Sequence, residues 1–325
     1  YQHPLSTPII SPSLDTILPT KNSLEITGDD ILYYGMIEGN AVITGKNVVY
    51  DPQSPSNPIS FSKTGSKAEN LAVIVNIGEA SKMAQSSDIK QIKEFFFEKE
   101  GADVLVLKMG PKGALVITDK GKTEKTIPVY KTQNVWPLGS GDVFAAVFSY
   151  YWFKNRDPFV SAESASQATA LYCSTKGFIF TENEFKKLDP LSISDYPSGQ
   201  IYLAGPFFTF AERWLVDQLR SALKGMKLNV FSPWHDVGHG SADDVVQKDI
   251  DALNNSKLVF AVLDGLDSGT LFEVGYAVCK GIPVLVYVQN ETEESLKMLE
   301  GTNCIFETDL TTAVYKALWI LAENE

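Results

Sequence analysis

The chain has 325 residues, a length that two domains fill more readily than one. Its apolar share of 44% is ordinary for a globular protein, and its net charge of −12 repels nucleic acid and anionic membranes, leaving small molecules as the expected partners. No apolar run is long enough for a membrane span, and the N-terminus lacks the basic and apolar regions of a signal peptide, so a cytoplasmic location is expected.

Residues 1–28, rich in Pro, Ser and Thr, read as an irregular lead-in, and a chain opening at Tyr1 rather than Met reads as a fragment or processed product. Short apolar runs at 31–34, 41–44 and 47–50 predict strands, the last stopped by Asp51 and Pro52. A loop over 53–67 precedes a buried strand at 71–76, which ends in Asn76-Ile77-Gly78-Glu79. Helical periodicity at 87–99 and a buried strand at 104–108 follow, then Gly110 and Gly113 and a hairpin of 114–118 with 126–129. Gly139-Ser140-Gly141-Asp142 opens a strongly apolar helix at 143–153. Its glycines would let the backbone approach a phosphate, and Asp142 reads either as a proton acceptor in phosphoryl transfer or as a helix cap. A helix at 160–175 ends at Lys176-Gly177, and the polar stretch 181–199 reads as an interdomain linker.

Beyond it the pattern alternates strand and helix: strands at 201–204, 229–231, 258–263, 284–288 and 304–306, helices at 210–224, 242–254, 270–280, 293–299 and 310–322. That alternation predicts a five-stranded doubly wound parallel sheet, with ligand groups gathered at the carboxyl ends of its strands. Tyr202 and Gly205, His235 and Asp236, then Asp264, Asp267 and Glu273 stand there, with Asp249 and Asp251 on the preceding helix. Glu273 is expected in the first turn of its helix, where the positive end favours the ionised form; it reads as a nucleophile or as a complement to the helix dipole. Trp214 and Trp319 are expected in the core. Cys173, Cys279 and Cys304 read as reduced core thiols, and with only His3, His235 and His239 no metal site is expected.

Two family resemblances rest on these motifs. Asn76-x-x-Glu79, the strand before Gly110-x-x-Gly113, and the Gly139-Ser140-Gly141-Asp142 turn resemble the later half of the ribokinase-like (phosphofructokinase B type) sugar kinases, over about residues 30–180. The resemblance implies an anion hole at Gly139 and Gly141, a catalytic base at Asp142, and magnesium and phosphate organised by Asn76 and Glu79. Mg and ATP would be cofactors only if this domain is an active kinase. The chain departs from that family in having Trp136, Pro137 and Leu138 before the glycine turn and no counterpart of the sugar-binding half.

The segment starting Ile201-Tyr202-Leu203-Ala204-Gly205-Pro206-Phe207, with Asp249-Ile250 and the run from Asp264-Gly265-Leu266-Asp267 through Gly269 and Glu273 to Ala277, resembles the nucleoside 2-deoxyribosyltransferase family over 200–325. That resemblance implies a flavodoxin-like fold, Glu273 as nucleophile, Asp249 and Asp267 as base-binding and proton-handling acids, and Tyr202 as the residue positioning Glu273. Gly205, Pro206, Asp264, Gly269 and His235 are expected to contact substrate, and no cofactor is expected. Family members complete the pocket with a neighbouring subunit's side chain, often Asn; none stands near Lys297 and Met298, although a homo-oligomer is expected.

The expected organisation is therefore α/β with two domains: a partial ribokinase-like domain over 1–180, a linker over 181–199 and a transferase-like domain over 200–325. The expected activity is transfer of a 2-deoxyribosyl group between nucleobases in nucleoside salvage. Alternatives are hydrolysis of a deoxynucleoside or its 5'-monophosphate, a bifunctional sugar or nucleoside kinase, or a nucleotide sensor without turnover.

Overall fold

The computed structural model describes residues 16, 23–36, 39, 41–54, 57–191, 193, 196–238 and 240–324, so His3 and His239 lie outside the described residues. Two compact units emerge. The first runs as far as Ile193; the second comprises Ser194 onward together with Gln133–Val135. Among the described residues no helix is long and apolar enough to cross a membrane.

The first unit is built on a six-stranded sheet in the order β1 (Leu24–Tyr34), β2 (Ala41–Asp51), β3 (Lys67–Asn76), β4 (Val104–Lys108), β5 (Ala114–Thr118) and β6 (Thr123–Ile127). Strands β1 to β4 are parallel; β5 and β6 return antiparallel. Helices α1 (Ile77–Ala84) and α2 (Ile89–Glu94) follow β3, the latter continuing through a wide turn at Phe95–Lys99. A two-residue strand, β7 (Val129–Tyr130), leads toward two helices that pack on each other, α3 (Ser140–Asn155) and α4 (Pro158–Thr175).

Strand β3 shows why the sheet is covered on both faces. Alternate side chains point to opposite sides, so Leu71, Val73 and Val75 pack with Ala80, Ile92 and Phe96, while Ala72 and Ile74 pack with Phe144, Phe148 and Trp152. Two sequence expectations are corrected here. Residues 24–28, read as lead-in, belong to β1, and the two runs at 41–44 and 47–50 are one strand. The parallel ladder passes straight through Gly28 and Gly45, which lie opposite each other, because backbone pairing does not require an apolar side chain at every step. The stretch read as linker carries α5 (Glu182–Phe185) and β8 (Pro190–Leu191), the latter pairing with β7.

In the second unit all five strands are parallel, in the order β10-β9-β11-β12-β13, with β9 (Gln200–Ala204), β10 (Asn229–Phe231), β11 (Ser256–Val262), β12 (Val284–Tyr287) and β13 (Ile305–Glu307). Helices α6 (Phe210–Gly225), α7 (Ala242–Asn255), α8 (Ser268–Lys280) and α9 (Glu293–Glu300) make the four crossovers, and α10 (Leu310–Glu323) follows the last strand. Strand order reverses between β9 and β11. The carboxyl ends of these two strands form the switch point at which open α/β sheets bind ligands. The chain is thus mixed α/β, with a six-stranded sheet followed by a doubly wound five-stranded parallel one.

Trp214 is not in the core: α6 buries Val216, Leu219, Ala222 and Leu223, and Trp214, off that stripe, is 54% exposed. Trp319 is buried as expected. Cys279 is also exposed, on the outer side of α8, while Cys173 and Cys304 are half-buried.

Candidate active site

At the switch point the chain places Tyr202 in the middle of β9, opposite Val259 of β11 and fully buried. Its ring stacks on Phe231 of β10, with centroids 5.5 Å apart, and its hydroxyl donates to Glu273 Oε1 at 2.5 Å. Burial, then the charges of Glu273 and Asp249, hold that hydroxyl in its protonated, donating form.

Glu273 comes from α8. Asp267 caps that helix, its Oδ2 accepting from the Thr270 amide at 2.9 Å and from the Thr270 hydroxyl at 3.0 Å. A Cβ at Gly269 would lie 3.1 Å from that same oxygen, so a side chain there would have to displace the cap slightly. The helix begins at Ser268, so Glu273 lies in its second turn rather than its first. The expectation of an ionised carboxylate favoured by the helix end is corrected accordingly, since the dipole effect fades within one turn. Burial pushes Glu273 up to about 7; the Tyr202 hydrogen bond opposes this, and the nearby Asp249 and Asp267 add to it.

Asp249, on α7, has one carboxylate oxygen that is buried and without a hydrogen-bond partner, and burial pushes its carboxyl above the usual range. A buried carboxylate oxygen left unsatisfied is costly, so it marks a place where a ligand could supply the missing bond. Asp251, two residues on, is exposed and accepts from Gln247 instead.

The remaining expected contacts divide. Pro206 is buried, and Gly205 lies so close to Val262 and Val216 that a Cβ would meet them at 3.2 and 3.3 Å, so the glycine serves the close packing of β9 against β11 and α6. Asp264 is committed to the chain after β12, with Oδ1 accepting from the amides of Gln289 and Asn290, each at 2.8 Å. His235 lies in the turn after β10 and reaches Asp217 on α6, with Nε2 to Oδ1 at 2.8 Å. Sequence reasoning missed the aromatic group beside these residues: Phe207 stacks on both Phe208 and Trp234, with the Arg213 guanidinium over the Trp234 ring. Its only sequence signal is the Phe207-Phe208 pair directly after the β9 turn.

The first unit has its own group at the carboxyl edge of its parallel strands. Asn76 and Glu79 form a reciprocal capping box on α1, each side chain accepting from the other's amide at 2.9 Å. Burial pushes the Glu79 carboxyl upward. Gly139 opens α3 in the left-handed conformation, φ 82°, where a Cβ would lie 2.7 Å from the Tyr172 hydroxyl, so only glycine fits. Asp142 is not the cap. It lies in the first turn, its carboxylate hydrogen-bonded by the Gln53 side chain and its carbonyl by Tyr34 at 2.9 Å. Gly141 neighbours Lys108, whose ammonium donates to the buried Asp51 at 2.8 Å. Burial would lower the Lys108 pKa, but Asp51, followed by Glu79 and Asp142, outweighs it and the net shift is upward. Neither Asp51 nor Lys108 was picked out from sequence; the signal was a charge ending each of two buried strands.

Comparison with known proteins assigns the two units separately. Residues 201–309 match the family model for nucleoside 2-deoxyribosyltransferase, and residues 42–184 that for pfkB family carbohydrate kinases. Both resemblances read from the motifs are thereby borne out, giving a transferase-like domain and a carbohydrate-kinase-like domain in one chain. No curated protein matches the chain significantly. Among solved structures, the ribokinase of Thermotoga maritima is 20% identical over 43% of this chain and 48% of its own, with a TM-score of 0.36. A fructokinase of Vibrio cholerae is 18% identical over 45% of this chain and 51% of its own, also at 0.36. The 2-deoxyribosyltransferase of Bacillus psychrosaccharolyticus is 24% identical over 34% of this chain and 88% of its own, at 0.31. The chain spans about half the length of the two sugar kinases.

Proposed function

We propose that the second unit transfers 2-deoxyribosyl groups between nucleobases by way of a covalent ester on Glu273. The observation that carries this reading is the pairing of a largely buried carboxylate, held at 2.5 Å by a buried tyrosine's hydroxyl, with a second, half-buried acid, Asp249, that has one buried and unused oxygen. Ionised Glu273 attacks the anomeric carbon, forming the C–O bond as the bond to the base breaks. Asp249 gives its proton to the departing base. A second base then attacks the same carbon from the freed face, Glu273 leaves as carboxylate and Asp249 recovers a proton, so configuration is retained overall. A carboxyl near 7 suits both halves, being ionised often enough to attack and stable enough as a leaving group.

In this assignment Asp267 holds the start of α8, and thereby Glu273, in place. The substrates are a deoxynucleoside or its monophosphate and a free nucleobase, and no cofactor enters. If water takes the place of the second base, the same steps make the site an N-glycoside hydrolase. A homo-oligomer belongs to the proposal: Phe210, Trp214, Phe272 and Met298 are exposed apolar side chains that a second copy could cover.

Magnesium and ATP fit the first unit only in part. Gly141 lies beside the Lys108 ammonium, a charge that suits a phosphate, but the Tyr172 hydroxyl fills the space at Gly139, Asn76 and Glu79 are spent on capping α1 and Asp142 is engaged by Gln53. No phosphoryl transfer is assigned to it.

Incubation with a deoxynucleoside and a different free base, followed by chromatography, tests the reading. New nucleoside is expected from the wild type and none from Glu273→Ala. Absence of base release from every deoxynucleoside and monophosphate, or full activity of the variant, contradicts it.

A further inference from the structure

The turn after β10 is fastened to α6 at two adjacent points. His235 Nε2 lies 2.8 Å from Asp217 Oδ1, and Arg220 Nη2 lies 3.1 Å from Asp236 Oδ1. Within the turn, the buried Ser232 links both clamps: its amide donates to Asp236 Oδ2 at 2.8 Å, and its hydroxyl lies 3.1 Å from His235 Nδ1. With Nε2 donating to Asp217, Nδ1 is left to accept the Ser232 hydroxyl, so one arrangement of protons satisfies every partner. Between Ser232 and His235 stands Trp234, whose ring stacks on Phe207 at 5.4 Å and 26°. Phe207 follows the end of β9, and Phe231, three residues before Trp234, stacks on Tyr202, the residue that holds Glu273. The clamps therefore fix Trp234 against Phe207, on the two chain segments that leave the strands carrying Tyr202 and Phe231.

We infer that His235 and Asp217 are positioning residues that set the fate of the glycosyl group, by keeping Trp234 against Phe207 as a platform on which a planar base stacks. This rests on the deoxyribosyl-transfer reading and adds to it a determinant of transfer against hydrolysis. Once the first base has left, the ester on Glu273 can be opened by a nucleobase nitrogen or by water. Either forms a new bond at the anomeric carbon, releases the Glu273 carboxylate and gives up one proton. A base held on a rigid aromatic wall excludes water from that carbon; a loosened wall admits it.

The test measures three quantities on the full-length chain with a deoxynucleoside donor: acceptor-base KM, the ratio of new nucleoside to free deoxyribose, and the single-turnover rate of base release at saturating donor. His235→Ala and Asp217→Ala are expected to raise acceptor KM and lower the transfer-to-hydrolysis ratio by about tenfold, the effect of losing a base–aromatic stack. The single-turnover rate should stay within about twofold, because Tyr202, Glu273 and Asp249 are untouched. His235→Gln, whose amide can still donate to Asp217, should restore the ratio. A merely structural role would lower the single-turnover rate and thermal stability together and leave the ratio unchanged; that result overturns the inference, as does an Ala variant with wild-type partitioning. A wild type that releases no base contradicts the transfer reading itself.

Discussion

Replacing Tyr202 by Phe removes one hydroxyl while keeping the ring that stacks on Phe231. The lost hydrogen bond is the one contact that lowers the Glu273 pKa, against burial and the charges of Asp249 and Asp267, which raise it to about 7. A hydrogen bond to a charged group contributes about 1.5 to 3 kcal/mol, and 1.36 kcal/mol corresponds to one pH unit, so the variant should titrate about 1 to 2 units higher. The sign follows from the chemistry: Glu273 must be ionised to attack, so activity rises with pH through its pKa. At pH 7 the ionised fraction falls from about a half to between about a tenth and a hundredth, a loss of roughly 5- to 50-fold. At pH 9 most of that loss should be recovered. The assay is kcat/KM for base release across pH 5 to 10, with wild type and variant compared on their acid limbs. A variant with an unmoved limb, or one equally impaired at every pH, refutes the reasoning, because the hydroxyl would then be acting otherwise than on the ionisation of Glu273.

Glu273→Gln should abolish glycosyl transfer and yet stabilise the second unit above pH 7. A carboxyl raised in the folded state binds more protons there than when unfolded, so it costs stability as pH rises from its unfolded value through about 7, by as much as about 3 kcal/mol; urea unfolding at pH 5 and pH 8 should show the gain only at the higher pH. Asp249→Asn should slow base release about 10²- to 10⁴-fold, with a smaller loss for donors whose base departs without needing a proton. In the first unit, Lys108→Met leaves the buried Asp51 unpaired and should cost about 3 kcal/mol in denaturant unfolding, much of it regained in the double variant with Asp51→Asn.

Regular elements whose burial is periodic were legible in the sequence. Strand β3, covered on both faces, and the strand–turn–helix around β11 and α8 announced themselves by an unbroken apolar run and a change of period. The joined strands β1 and β2 did not, because Gly28, Gly45 and their polar neighbours read as breaks while the ladder continues through the backbone. The carboxylates at the switch point could be placed from topology alone, but their jobs could not. Which oxygen of Asp267 is spent on Thr270, which of Asp264 on Gln289 and Asn290, and which of Asp249 on nothing depends on side-chain geometry that spacing does not encode. The ionisation of Glu273 was misjudged because its helix begins two residues earlier than the periodicity suggested and because spacing does not show how deeply a carboxyl is buried. Trp214 failed because its bulk suggested core, whereas the phase of Val216, Leu219 and Leu223 turns it outward.

The central claim is that Glu273 carries the sugar, and mass spectrometry of the enzyme quenched with acid during turnover of a deoxynucleoside tests it most directly. The account predicts a peptide containing Glu273 heavier by one deoxyribosyl group, lost on adding acceptor base and missing from Glu273→Gln. Base release by the wild type with no such adduct, together with product of inverted anomeric configuration, would contradict it.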